Sequence, residues 1–198
     1  YAENVIHSGW NHVVVNYDGE LARIYFDGEL VSSRDIENAH DLSSDDYPFL
    51  FGKRDNHIAP TFSGVMDEVA IWDRALSSEE ILDLYNIYDI PVAYWSFDEE
   101  SGDIAYDSSG NSHHGDLEGP VWVDGISGSA LEFDGVDDYV KIDSDSAFNL
   151  TDVVISVWIN LDDNEKTNVI VDKIIGGNGY RFVVDSNSKL NFGIGFGT

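Results

Sequence analysis

Apolar and polar residues alternate with a period of two along most of this chain, the pattern of strands that turn one face to a core. In NHVVVNY, Val13, Val15 and Tyr17 fall on one face, and Asp18-Gly19 supplies a tight turn into LARIYF, which predicts a hairpin. Asp27-Gly28 closes the second strand, the polar segment from Ser32 to Asp46 reads as a long loop, and PFLFG restarts a strand before SGVMDEVAIW. Beyond Pro91 the strands continue as AYWSF, ALEFDG, DYVKI, VVISVWI, NVIVDK, YRFVVD and KLNFGIG, with Gly/Asn turns such as GGNGY between several of them. Ile155, Val157 and Ile159 point inward, and Ser156 and Trp158 alternate with them. Strands of this number and spacing predict an all-β fold, a two-sheet antiparallel sandwich or jelly roll.

One segment breaks the period. Ser77 precedes Glu80 by three residues, a capping box, and Ile81, Leu84 and Tyr85 then recur at helical spacing, so a short amphipathic helix of two to three turns is expected. The connector from Asn86 to Pro91 is the one plausible boundary, dividing the chain into 1–90 and 91–198.

Composition narrows the function classes. The 198 residues carry 42% hydrophobic and 13% aromatic content, ample for a packed core, and 10 Lys plus Arg against 38 Asp plus Glu give a net charge of −28. Such a field repels nucleic acid and anionic membranes. It fits a solvated acidic surface, calcium sites or attraction to cationic partners. With no cysteine there is no disulfide, thiolate site or thiol nucleophile. No run of about eighteen apolar residues is present, which speaks against membrane insertion by a spanning helix. The first residues, YAENVIHSG, lack the regions of a signal peptide, and the absence of an initial Met suggests a piece of a longer or processed protein.

Two sets of segments resemble a known family. GWNHVVVNYDGELARIYFDGELV and FSGVMDEVAIWDRALSSEEILDLYN are similar to the C-terminal half of a concanavalin A-like, laminin G-like jelly roll, related to pentraxin-type domains. VAYWSFDEESGDIAYDSSGNSHHGDLEG, GSALEFDGVDDYVKI and ISVWI resemble the N-terminal half of the same family. The halves therefore stand in swapped order, with 1–90 as the C-terminal half and 91–198 as the N-terminal half. The order fits a window on a tandem array, a circular permutant that closes on itself, or half domains completed by neighbouring molecules. A half sandwich exposes unpaired strand edges, and head-to-tail completion of such edges builds fibres.

The candidate site residues follow from the loops FDEESG and YDSSGN. Asp98, Asp107 and Asn111 offer the oxygen ligands that calcium takes, and the resemblance implies a structural calcium near these turns. Asp67 shares strand parity with Val65, Val69 and Ile71, so its carboxylate is expected to face the apolar layer and to need a partner: a metal, backbone amides or Arg74. Glu68 falls on the opposite face with Trp72. The alternative for Asp107 is an Asx-turn acceptor, and Asp137-Asp138 reads as a strand-entry turn. His113 and His114 read as solvated loop residues. Among the tryptophans, Trp122 in the loop-like GPVWVDG is the best stacking candidate for a glycan, the others reading as core.

Catalysis is not expected. No strand carries the paired carboxylates of a sandwich-fold glycosidase, and there is no GxSxG elbow or phosphate loop. The sequence is thus read as a non-enzymatic extracellular or cell-surface adhesion module with structural calcium, whose partners are neighbouring copies or domains of the same protein. The alternative is a carbohydrate-binding module attached to a secreted enzyme.

Overall fold

The fold is taken from a computed structural model, which describes residues 6, 8–36, 48–54, 60–82, 84, 91–162, 166–175 and 178–195. In chain order the strands are β1 (Asn11–Tyr17), β2 (Leu21–Phe26), β3 (Glu29–Asp35), β4 (Phe49–Phe51) and β5 (Ser63–Trp72). The helix α1 (Ser78–Leu82) follows, and then β6 (Ala93–Trp95), β7 (Ile104–Ala105), β8 (Gly115–Glu118), β9 (Val121–Asp124) and β10 (Ser129–Asp134). The last five are β11 (Tyr139–Ile142), β12 (Val153–Leu161), β13 (Asn168–Ile175), β14 (Asn178–Val184) and β15 (Leu190–Ile194).

They form two antiparallel sheets. The larger, of eight strands, runs β3-β2-β1-β12-β5-β10-β9, with β6 also on β5; the smaller, of seven, runs β15-β14-β13-β4-β11-β8-β7. In the larger sheet β12 pairs on one side with β1 and on the other with β5, both from the first ninety residues. In the smaller sheet β4 lies between β13 and β11 in the same way. Each half thus fills a gap in the other, and the edges that an isolated half would leave open are hydrogen-bonded within the chain.

The period-two reading accounts for the core. Val13, Val15 and Tyr17 of β1 and Ile155, Val157 and Ile159 of β12 all lie between the sheets. An aromatic group stands at the centre, with the Trp95 ring 5.0 Å from that of Phe51 in an edge-to-face arrangement and Phe49 stacked 5.2 Å from Phe148. A second, smaller apolar group occupies the outer face of the larger sheet, where Ile81 and Leu76 cover Val14, Tyr25, Ala70 and Trp72.

Two local expectations are corrected. The segment from Ser32 does not open as a loop: β3 continues to Asp35, its polarity being that of an edge strand whose side chains are mostly exposed. The helix is shorter than expected at five residues, although its capping box forms as read, Ser77 N–H donating to Glu80 Oε2 at 2.7 Å and Glu80 N–H to Ser77 Oγ at 3.2 Å. Tyr85 and the connector up to residue 90 lie outside the described residues.

Candidate functional site

Asp107 is built into its turn by four donors. Its Oδ1 accepts from the amides of Tyr94 (3.0 Å) and Ser109 (2.8 Å), and its Oδ2 from the Ser109 hydroxyl (2.9 Å) and the His113 amide (3.0 Å). Burial pushes its pKa up, but these hydrogen bonds outweigh burial and hold the carboxyl below the usual carboxylate range. Asn111 joins the same turn, donating from Nδ2 to the Val92 carbonyl at 2.9 Å. The Asp107 amide donates to His114 Nδ1, and Trp95 Nε1 donates to the His113 carbonyl. The two histidines therefore serve as fixed parts of the turn, with His113 half-buried against Phe148. The turn's work is to pin β6.

Asp98 and Asp67 serve a different turn, Gly125–Ser129, which joins β9 to β10. Asp98 Oδ1 accepts from the Ser129 amide at 3.1 Å, and Asp67 Oδ2 accepts from the amides of Ile126 (2.9 Å) and Ser127 (3.4 Å). The two glycines are required by these carboxylates. A Cβ at Gly128, whose φ is +62°, would lie 1.9 Å from Asp98 Oδ1, and one at Gly125 would lie 2.3 Å from Asp67 Oδ2. The four residues expected to hold calcium thus divide between two turns. Asp107, with four protein donors on its two oxygens, has no free position for a cation, so the set does not fit one calcium cage.

Asp67 departs from its expected orientation because β5 carries a bulge. Ala70 pairs with Ser156 and Asp67 with Trp158, so Glu68 and Val69 together face Val157; Glu68 absorbs the extra residue at φ +55°. Met66, Val69 and Ile71 remain in the core, while Asp67 and Glu68 both come to the outer face. Asp67 is fully buried there, and its Oδ1 has no hydrogen-bond partner among the described residues. Burial, with the charge of Glu68 adding, pushes its pKa up to about 7 despite the amide donors.

A carboxyl whose folded pKa is raised favours folding at low pH, and that contribution is lost as pH rises through about 7. Asp67→Asn removes the buried charge and keeps an acceptor for the turn. We expect the variant to gain about 1–2 kcal/mol on the native chain between pH 5 and pH 8.5. Urea unfolding at the two pH values measures this, and parallel pH profiles would contradict it.

Beside this bulge the outer face opens into a cleft of about 490 Å³. Four adjacent strands contribute to it: His12 from β1, Ser156 and Trp158 from β12, Glu68, Ala70 and Trp72 from β5, and Tyr94 from β6. Ile126 and Ser127 of the clamped turn form one wall, with Leu84 and Pro91 at the other end. His12 and Trp158 are cross-strand neighbours, their rings 4.9 Å apart, and His12 Nε2 is 2.8 Å from Ser156 Oγ. Burial lowers the His12 pKa to about 4, so the ring is neutral at physiological pH. Tyr94 donates its hydroxyl proton to Glu68 Oε2, and burial followed by this hydrogen bond raises the phenol pKa, leaving it a donor and not a nucleophile. Trp72 Nε1 is a buried donor with no partner among the described residues.

Most of the cleft was not singled out in the sequence. The signal was present: Ser156 and Trp158 stand on the outer parity of an otherwise apolar strand, with Glu68 and Trp72 on that of β5. What the sequence lacks is the register that brings them together with His12 and Tyr94. Trp122 is placed elsewhere. It is half-buried on β9 and not in a loop, packs against the core and donates from Nε1 to the Gly102 carbonyl at 2.9 Å. Asp134, Asp137 and Asp138 cluster with carboxylate oxygens within 4.8 Å of one another; Asp134 and Asp138 each accept an amide of the strand-entry turn.

Residues 2–82 match the sequence profile of the concanavalin A-like lectin/glucanases superfamily. Over that span the chain is similar to this superfamily. The two antiparallel sheets, with one short α-helix among the described residues, are those of a jelly-roll β-sandwich. No curated protein and no solved structure matches the chain. Domains of the laminin G-like kind are typically non-enzymatic binding modules, and no helix among the described residues is long and apolar enough to cross a membrane.

Proposed function

We propose that this chain is a non-enzymatic, extracellular binding module whose ligand site is the outer-face cleft, and that the ligand is a saccharide. The observation that carries the reading is the convergence of Trp72, Trp158 and Tyr94 with the hydroxyl of Ser156 and the carboxylate of Glu68 on one cavity. Aromatic faces match the apolar C–H surface of a sugar ring, and a few placed polar groups meet its hydroxyls; mostly apolar concavities with such groups are the usual form of small-ligand sites.

The same lining argues against hydrolysis. Glycosidases need a pair of carboxylates across the scissile bond, and Glu68 is the one carboxylate among the described residues that line the cleft. The raised Tyr94 phenol is a poor nucleophile. A glycan array tests the proposal: we expect a restricted set of saccharides to bind without being cleaved. An array with no binder, or release of reducing sugar from a bound one, would contradict it.

A further inference from the structure

We propose that the cleft selects a cationic saccharide, an amino sugar with a free ammonium group, whose charge sits at Glu68 beside the aromatic rings. This rests on the reading of the cleft as a saccharide site. The described lining contains no Lys or Arg, and His12 is uncharged near neutral pH, so Glu68 supplies the only formal charge among the described lining residues. Glu68 Oε2 accepts from Tyr94, while Oε1 has no hydrogen bond among the described residues and remains available to a donor. An ammonium group is the donor that suits it, because a charge-assisted hydrogen bond is stronger than one from a hydroxyl.

The surroundings add to this preference. Asp98 acts electrostatically on Glu68, whose pKa is raised by burial and by that charge; Asp67, adjacent in sequence, lies buried under the same turn. A cation at Glu68 relieves this crowding, whereas a uronic or sialic acid would increase it. The half-buried rings of Trp158 and Tyr94 line the same cavity, and aromatic faces attract ammonium groups. The net charge of −28 draws cations toward the whole molecule.

Calorimetric titration at pH 6 with three tetrasaccharides of β-1,4-linked glucosamine, N-acetylglucosamine and glucose isolates the charge. The glucosamine oligomer is expected to bind about tenfold more tightly than either neutral one. Glu68→Gln is expected to remove that preference, so that the glucosamine oligomer no longer binds more tightly than the neutral ones. High salt, near 0.5 M, screens the general field and is expected to leave part of the preference intact. Equal or weaker binding of the glucosamine oligomer overturns the inference while the saccharide reading stands. A preference that survives Glu68→Gln also overturns it, assigning the effect to net charge. If none of the three binds, this inference fails, and the array decides whether the saccharide reading fails with it.

Discussion

Asp107→Ala is expected to destabilise the chain by about 3–5 kcal/mol, enough to lower the melting temperature by roughly 10 °C. The carboxylate holds four donors at once, three of them backbone amides from β6 and from its own turn. Removing it leaves those groups without their acceptor in a part-buried place, and each lost hydrogen bond to a charged group costs more than one between neutral groups. Asp107→Asn should cost less, because one oxygen remains to accept while the new amide meets donors. The lowered pKa adds a pH signature. The stabilisation is complete above the ordinary carboxylate range and is lost as pH falls through the lowered value. Because protein donors fill the carboxylate, the loss should be the same with calcium and with chelator. An effect of Asp107→Ala that appears only with calcium would contradict this account.

Trp158→Ala is expected to weaken saccharide binding by about thirtyfold or more, the effect of deleting a central aromatic anchor, with little change in stability. The ring is half-buried on the outer face, against His12 and away from the inter-sheet core, so its removal leaves no internal cavity. Trp122→Ala is the control: its ring packs on β9 with its N–H already bonded to Gly102, and binding should be unchanged. Array and calorimetric affinities for the two variants check this. Loss of binding in Trp122→Ala with retention in Trp158→Ala would move the site to the β9 edge.

Much of the fold is legible in the sequence, and the departures have physical causes. The inward set Ile155, Val157 and Ile159 follows from alternation alone, and the Ser77–Glu80 box marks the helix start by local chemistry. Strand β3 was missed because an exposed edge strand has no apolar face to read. Asp67 was assigned to the wrong face because parity counting assumes an unbroken strand, and the bulge inserts a residue at Glu68, where positive φ is not announced by a glycine. The cleft was hidden for a related reason: His12, Glu68, Tyr94 and Trp158 are brought together by strand pairing across both halves, and a sequence shows faces more readily than registers.

That interleaving is the centre of the account. The cleft draws His12, Glu68 and Trp72 from the first ninety residues and Tyr94, Ser156 and Trp158 from the rest, so a complete site needs both halves closed on one another. The solution mass of the 198-residue chain, measured by light scattering across a wide range of concentration, tests this most directly. Closure within one chain predicts a mass of 22.0 kDa at every concentration. Growth into larger species with concentration would mean that each molecule completes its neighbour, and would contradict the account.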